Sequence, residues 1–149
     1  MAFLIRDFAP DDQDAVAQLI LGGMRQRWGS RFDPTADPDI DDLWASYIDA
    51  GGEIVVGELG GSAIATTTLM GCGARDGRIL RMSVARSHRG CGFGRLLVAE
   101  MVARSRRRGM LVLHVSTDTP WVDAVAFYKA CGFVATSESG GDTHFELVL

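Results

Sequence analysis

The stretch Ser83-Val84-Ala85-Arg86-Ser87-His88-Arg89-Gly90-Cys91-Gly92-Phe93-Gly94-Arg95-Leu96-Leu97 decides how this chain is read. It leaves a strand-like run, Arg78 to Ala85, and enters a helix-like run from Gly92 to Arg108 that Gly109 closes. Glycines let the backbone approach a ligand and adopt positive φ, while the first N–H groups of a following helix face an anion. Arg89 and Arg95 add charge-assisted donors. A phosphate-bearing ligand is the functional reading; the bland one is a turn whose glycines let strand and helix pack closely. A nucleotide P-loop would continue as Gly-Lys-Ser/Thr, and a dinucleotide fold would place GxGxxG after its first strand. Here Gly94 is followed by Arg95-Leu96-Leu97 and the loop follows the fourth strand, so neither fits.

Upstream, Phe3 to Phe8 alternates weakly as a first strand, and Pro10-Asp11-Asp12 opens a helix with Val16, Leu19, Ile20 and Met24 at helical spacing. Residues 29 to 39 carry Gly29, Pro34 and Pro38 among aspartates and read mostly as loop. A second helix puts Ile40, Leu43, Trp44, Tyr47 and Ile48 on one stripe and stops at Gly51-Gly52. Glu53 to Leu59 and Ser62 to Met70 are strands rich in Ile, Val and Thr, with Gly-Gly and then Arg-Asp-Gly as the turns before the next strands. Downstream, Met110 to Ser116 is a buried strand, and Thr119-Pro120 caps a helix running to Cys131. Phe133 to Glu138 and Thr143 to Leu149 close the chain as a hairpin through Ser139-Gly140-Gly141-Asp142. Strands and helices in this order predict one α/β domain over residues 1–149 with a mixed sheet.

Nearly half of the 149 residues are apolar, enough for a core without metal or disulfide staples. The net charge of −4 argues against nucleic-acid binding, where a basic face dominates affinity. No run approaches the roughly 20 apolar residues of a membrane span, and the start lacks the pattern of a secretory signal. Cys72, Cys91 and Cys131 lie far apart without a CxxC pair, which suits reduced thiols in a cytoplasmic compartment.

The segment Ser83 to Leu97 resembles the acetyl-CoA-binding motif of the GNAT superfamily of N-acetyltransferases, Arg/Gln-x-x-Gly-x-Gly/Ala after a strand. About thirty residues on, Ala124-Val125-Ala126-Phe127-Tyr128-Lys129-Ala130-Cys131-Gly132-Phe133 is similar to the family's second motif, A-x-x-x-Y-x-x-x-G-F. Two motifs in the right order are far more specific than either alone. The resemblance implies the GNAT variety of the α/β class: a mixed, mostly antiparallel sheet of about seven strands flanked by four helices. It implies acetyl-CoA as acyl donor, no metal, and a small-molecule or peptide amine as acceptor. Nucleic acid and membrane are not expected as partners, and a homodimer is left open.

Carried over residue by residue, Arg89, Gly90, Cys91, Gly92, Phe93, Gly94 and Arg95 correspond to the pyrophosphate loop. Met82, Ser83 and Val84 fall where the family's fourth strand bulges and offers main-chain groups to the thioester and pantetheine. Tyr128 corresponds to the tyrosine that points at the thioester sulfur and protonates the departing thiolate. Spacing alone makes Tyr128 a packed core residue beside Trp121, Ala124 and Val125. Two positions depart from the family's pattern: Ala85 where proline is common, and Trp121 where an asparagine often contacts the pantetheine arm. Arg78 stands where a carboxylate base is often found, which leaves Glu53, Glu58, His114 and Asp118 as base candidates by type only. His114 reads better as a locally bonded strand histidine, and Cys91 as a small filler residue. No nucleophile is paired with an activating base, so direct attack of the amine is expected over an acyl-enzyme. The alternatives are an inactive acyl-CoA-binding regulatory domain and an enzyme acting on a protein N-terminus or lysine. Asp37-x-Asp39-x-Asp41 fails as a calcium loop, because its sixth position is Asp42 and its twelfth Ile48. The five aspartates from Asp33 to Asp42 are read as caps and solvated charges, with attraction of a cationic amine as the functional rival.

Overall fold

Seven strands form one mixed sheet in the order β1-β2-β3-β4-β5-β7-β6 in a computed structural model that describes residues 1–149. They are β1 (Phe3–Asp7), β2 (Glu53–Leu59), β3 (Ser62–Gly71), β4 (Asp76–Val84), β5 (Val112–Asp118), β6 (Val134–Ser139) and β7 (Asp142–Val148). Three α-helices join them, α1 (Gln13–Trp28), α2 (Phe93–Arg107) and α3 (Val122–Ala130), and a fourth helical segment covers residues 38–48. The chain divides into two compact units, Met1–Met70 with Leu80–Leu97, and Gly71–Ile79 with Val98–Leu149.

In the first unit β1, β2 and β3 pair antiparallel, and Gly60-Gly61 turns β2 into β3 with both glycines at positive φ. That double left-handed turn matches the twist of the flanking strands. The core is Phe8, Val16, Ile20, Ile40, Leu43, Tyr47, Ile54 and Val56, with Met24 and Leu80 packed against it. The predicted stripe of α1 therefore points inward at Val16 and Ile20. The second predicted helix divides instead into a 3₁₀ turn, Pro38–Asp42, and a π-helical turn, Trp44–Ile48. Its stop is mechanical: Gly52 donates its N–H to the Tyr47 carbonyl at 2.8 Å. A Cβ at Gly52 would stand 2.8 Å from the Leu69 carbonyl oxygen, so only glycine fits.

In the second unit β4 runs parallel to β5 over Asp76–Arg78, while β7 pairs antiparallel with both β5 and β6. Leu113, Val115 and Phe145 are buried on one side of these strands, and Tyr128 of α3 packs on Phe145. Two of the boundaries that differ from the sequence reading have a plain cause. Asp76 and Gly77 belong to β4 instead of a turn, because they pair with Val112 and Leu113; the turn lies just before, where the Cys72 N–H reaches the Asp76 carbonyl. The last helix starts at Val122, with Trp121 at the N-cap position, since the Thr119 hydroxyl is engaged with that of Thr143 at 2.9 Å.

Candidate active site

The loop after β4 keeps the geometry its glycines foretold. A short 3₁₀ turn, Arg86–His88, leads to Gly90 at φ 77° and Gly92 at φ 86°, both left-handed conformations that side-chain-bearing residues rarely adopt. A Cβ on either would project into open space, so the loop's outer side is free to receive a ligand. The loop ends at the N-terminus of the 15-residue α2, whose first N–H groups have no partner within the helix. Arg95 is exposed, and Arg89 spans the loop's base with its Nε donating to the Val84 carbonyl at 3.1 Å. Phe93 turns back from the loop and stacks on Phe3 at 4.3 Å between ring centroids. Cys91 is exposed and makes only a weak sulfur contact with the Arg89 carbonyl at 3.9 Å, in keeping with a filler residue. Paired positive-φ glycines, a helix N-terminus and flanking guanidiniums together fit a pyrophosphate.

Just upstream, β4 carries one left-handed residue. Arg81 has φ 54°, the sole positive value among non-glycine residues, and costs about 1–2 kcal/mol relative to ordinary strand backbone. A residue in the left-handed region turns the strand locally, as residues at bulges do. Met82, Ser83 and Val84 follow it directly, and the Ser83 hydroxyl is fastened to the Leu19 carbonyl of α1 at 2.8 Å.

Arg81 was not singled out by sequence reasoning, nor were its partners. Its guanidinium meets Asp39 through Nε at 3.1 Å and Nη2 at 2.8 Å, and Asp37 through Nη2 at 3.0 Å. Asp39 also accepts a short hydrogen bond from the Tyr47 hydroxyl. Burial alone would raise the Asp39 carboxyl, but the bonds from Tyr47 and Arg81 prevail and hold it below the usual carboxylate range. Burial and the bond to Asp39 push the Tyr47 phenol above its ordinary value. The one available signal was an arginine inside the apolar run Ile79-Leu80-Arg81-Met82, which predicts a buried partner. Of the other aspartates nearby, Asp33 accepts from the Thr35 N–H and hydroxyl, and Asp42 caps the Ala45 N–H. Four of the five are thus occupied within the chain, although Asp37 and Asp39 are neither caps nor solvated charges but partners of Arg81.

In the second unit Tyr128 is 6% exposed and lies among Phe127, Phe133 and Phe145, with ring centroids 5.1 to 5.9 Å away. Its carbonyl accepts from the Cys131 and Phe133 N–H groups, which fixes the end of α3. Among the base candidates, Glu58 is engaged by Arg6 at 2.7 Å and His114 by Asp76 at 2.9 Å on the neighbouring strand. The arginine-rich end of α2 is partly self-compensated, since Arg104 bonds Glu100 one turn back at 2.9 Å. No helix is long and apolar enough to cross a membrane.

Comparison with known proteins places this geometry. The model of the acetyltransferase (GNAT) family matches residues 18–133. N-acetyltransferase 8 of Rattus norvegicus is 28% identical over 120 residues, 76% of this chain and 54% of that protein. Probable N-acetyltransferase family 8 member 5 of Mus musculus is 28% identical over 105 residues, 67% of this chain and 46% of that protein. The chain spans about half the length of the curated relatives it matches. Among solved structures, the PaiA N-acetyltransferase of Thermoplasma acidophilum, in complex with coenzyme A, superposes with a TM-score of 0.90 at 14% identity over the whole of both chains. A GNAT-family acetyltransferase of Staphylococcus aureus Mu50 gives a TM-score of 0.90 at 15% identity over 99% of each chain. The fold and the matched span together make the chain a member of the GNAT acetyltransferase family.

Proposed function

We propose that this chain is a single acyltransferase domain that moves an acetyl group from acetyl-CoA to a primary amine, of a small molecule or a peptide, by direct attack. The observation that carries the reading is the loop from Arg89 to Arg95, with two left-handed glycines whose open sides face outward at a helix N-terminus. Family membership and the coenzyme A complex of a protein with the same fold support coenzyme A as the phosphate ligand. Three cysteines without a disulfide suit a reducing, cytoplasmic setting.

Acetyl-CoA, when bound, supplies the acyl group as an activated thioester, whose carbon–sulfur bond breaks as a carbon–nitrogen bond to the amine forms. The loop's main-chain N–H groups with Arg89 and Arg95 hold the pyrophosphate. Main-chain groups of Met82 to Val84 hold the pantetheine and the thioester carbonyl, where preorganised N–H donors stabilise developing negative charge. Tyr128 gives its phenolic proton to the leaving sulfur, and the proton that the attacking nitrogen sheds passes to water, from which the phenol is restored.

The test is thermal. Coenzyme A at a hundred times its Kd adds about 2.7 kcal/mol by mass action, whereas NAD and ATP should add little. Gly92→Leu places a β-carbon where the phosphates would sit and demands positive φ of leucine, so the coenzyme A shift should vanish in a folded protein. Equal shifts from all three nucleotides would overturn the assignment. Tyr128→Phe keeps the aromatic packing, and turnover should fall by roughly tenfold to a thousandfold with acetyl-CoA affinity near wild type. Coenzyme A binding without turnover on any amine would select the regulatory-domain reading instead.

A further inference from the structure

The left-handed residue of β4 carries its own fastening, in which the pyrophosphate loop and Tyr128 take no part. The left-handed Arg81 is gripped side-on by Asp39 and again by Asp37, two residues that flank Pro38. That segment is itself pinned to α1 by one side chain: Gln13 donates to the Ile40 carbonyl at 2.8 Å and accepts from the Leu43 N–H at 2.9 Å. Two residues along the strand, Ser83 bonds the Leu19 carbonyl of the same helix. The strained residue is therefore held between two anchors on α1, one through Asp39 and one through Ser83.

Two other roles for the cluster fit less well. Asp39 already faces a guanidinium and a phenol donor, so it is a poor acceptor for the proton of an amine. Asp37 and Asp39 are both engaged by one guanidinium, which leaves the cluster a single net negative charge for a cationic acceptor. What the cluster can do is hold backbone. Charge-assisted, two-pronged bonds fix an arginine's position and plane together, and through it the φ of its own residue.

We propose that Arg81, clamped by Asp39 and Asp37, is a positioning residue that holds β4 in its left-handed turn at residue 81 and so presents the main-chain groups of Met82 to Val84 for acyl transfer. The inference rests on the acyltransferase reading above for its consequence, but the lock itself can be observed without turnover.

The experiment combines amide NMR with steady-state kinetics on Asp39→Asn, Arg81→Lys, Arg81→Ala and Arg81→Gly. With the lock, Asp39→Asn moves or broadens the amide resonances of Met82 and Ser83 while those of β5 and β7 stay put. Its kcat falls by about tenfold to a hundredfold, the cost of a small misplacement, and KM for acetyl-CoA stays within about twofold. Arg81→Lys fails to rescue, because one ammonium cannot reproduce the two-pronged grip. Arg81→Gly keeps more turnover than Arg81→Ala, since glycine accepts the left-handed φ without strain. A purely structural role predicts a lower melting temperature with unmoved Met82 and Ser83 amides and normal kcat, and that result overturns the proposal. Wild type inactive on every amine would sink the acyltransferase reading alone; the amides of Met82 and Ser83 would then decide the lock, unmoved amides overturning it. Should Asp39→Asn fail to fold, Tyr47→Phe, which loosens Asp39 by one hydrogen bond, puts the same question to the same amides.

Discussion

Two arginines of the first unit, Arg6 and Arg81, make nearly the same bonds and do different work. Arg6 sits in β1, an ordinary extended strand paired with β2, and its side chain is 37% exposed. It meets Asp12 through both terminal nitrogens, at 2.7 and 2.8 Å, and Glu58 through Nε at 2.7 Å. Arg81 is 22% exposed and meets Asp39 and Asp37 with the same two-carboxylate arrangement, but its own backbone is left-handed. Asp12 spends its remaining capacity on the Ala9 N–H, which closes the 3₁₀ turn Pro10–Asp12 ahead of α1. Asp39 spends its own on Tyr47, inside the segment that Gln13 ties down. Identical chemistry therefore fastens a chain end in one place and holds a strained backbone in the other. The difference lies in what each arginine's main chain is doing.

The sharpest way to break this comparison is to remove each arginine in turn. Arg81→Ala should lower kcat by about tenfold to a hundredfold, while Arg6→Ala leaves kcat within about twofold. Steady-state rates with one acceptor decide it, and equal losses from both would erase the distinction. Arg6→Ala should show itself in stability instead. An exposed pair contributes little, but this one is two-pronged and its Asp12 also closes the turn ahead of α1, so a loss of about 1 kcal/mol is expected. That lowers the melting temperature by about 2–4 °C, measurable by scanning calorimetry.

Acid should act on both clusters with the same sign. The Asp12 carboxyl is held below the ordinary carboxylate range, first by its bonds from Arg6 and against the opposing effect of burial. Asp39 is held below it by Tyr47 and Arg81 against burial. A carboxyl depressed in the folded state stabilises fully above its unfolded value of about 3.9 and loses that contribution as pH falls through the folded value. The melting temperature should therefore drop below about pH 5, and Asp12→Asn and Asp39→Asn should each flatten the acid limb. An unchanged limb in both variants would refute the assignment. Smallest of all, Tyr47→Phe removes one hydroxyl from the Asp39 cluster while keeping the buried ring, for a loss of about 0.5–1.5 kcal/mol in urea unfolding.

How much of this was legible beforehand follows from the range of each interaction. The loop at Arg89 to Arg95 could be read because glycine spacing and a helix start are local, and Gly90 and Gly92 took the positive φ expected of them. The two-glycine hairpins at Gly60-Gly61 and Gly140-Gly141 were legible for the same reason. The start of β4 was not, since Asp76 and Gly77 look like a turn until β5 lies beside them. Nor was the start of α3, since the Thr119 hydroxyl, expected to cap it, finds Thr143 from 24 residues further along the chain.

The sequence by itself determined the order of strands and helices, the glycine loop after β4 and the second motif around Tyr128, because each rests on residues that are neighbours in the chain. Tertiary structure decided which charges are spent on one another. Arg81 lies 42 residues from Asp39, and no periodicity marks a pair so distant. A charge must leave water to enter a packed interior, and it does so only where a partner of matching geometry is already held. That condition involves α1, the segment 38–48 and β4 at once, and so it is met only when the chain has folded.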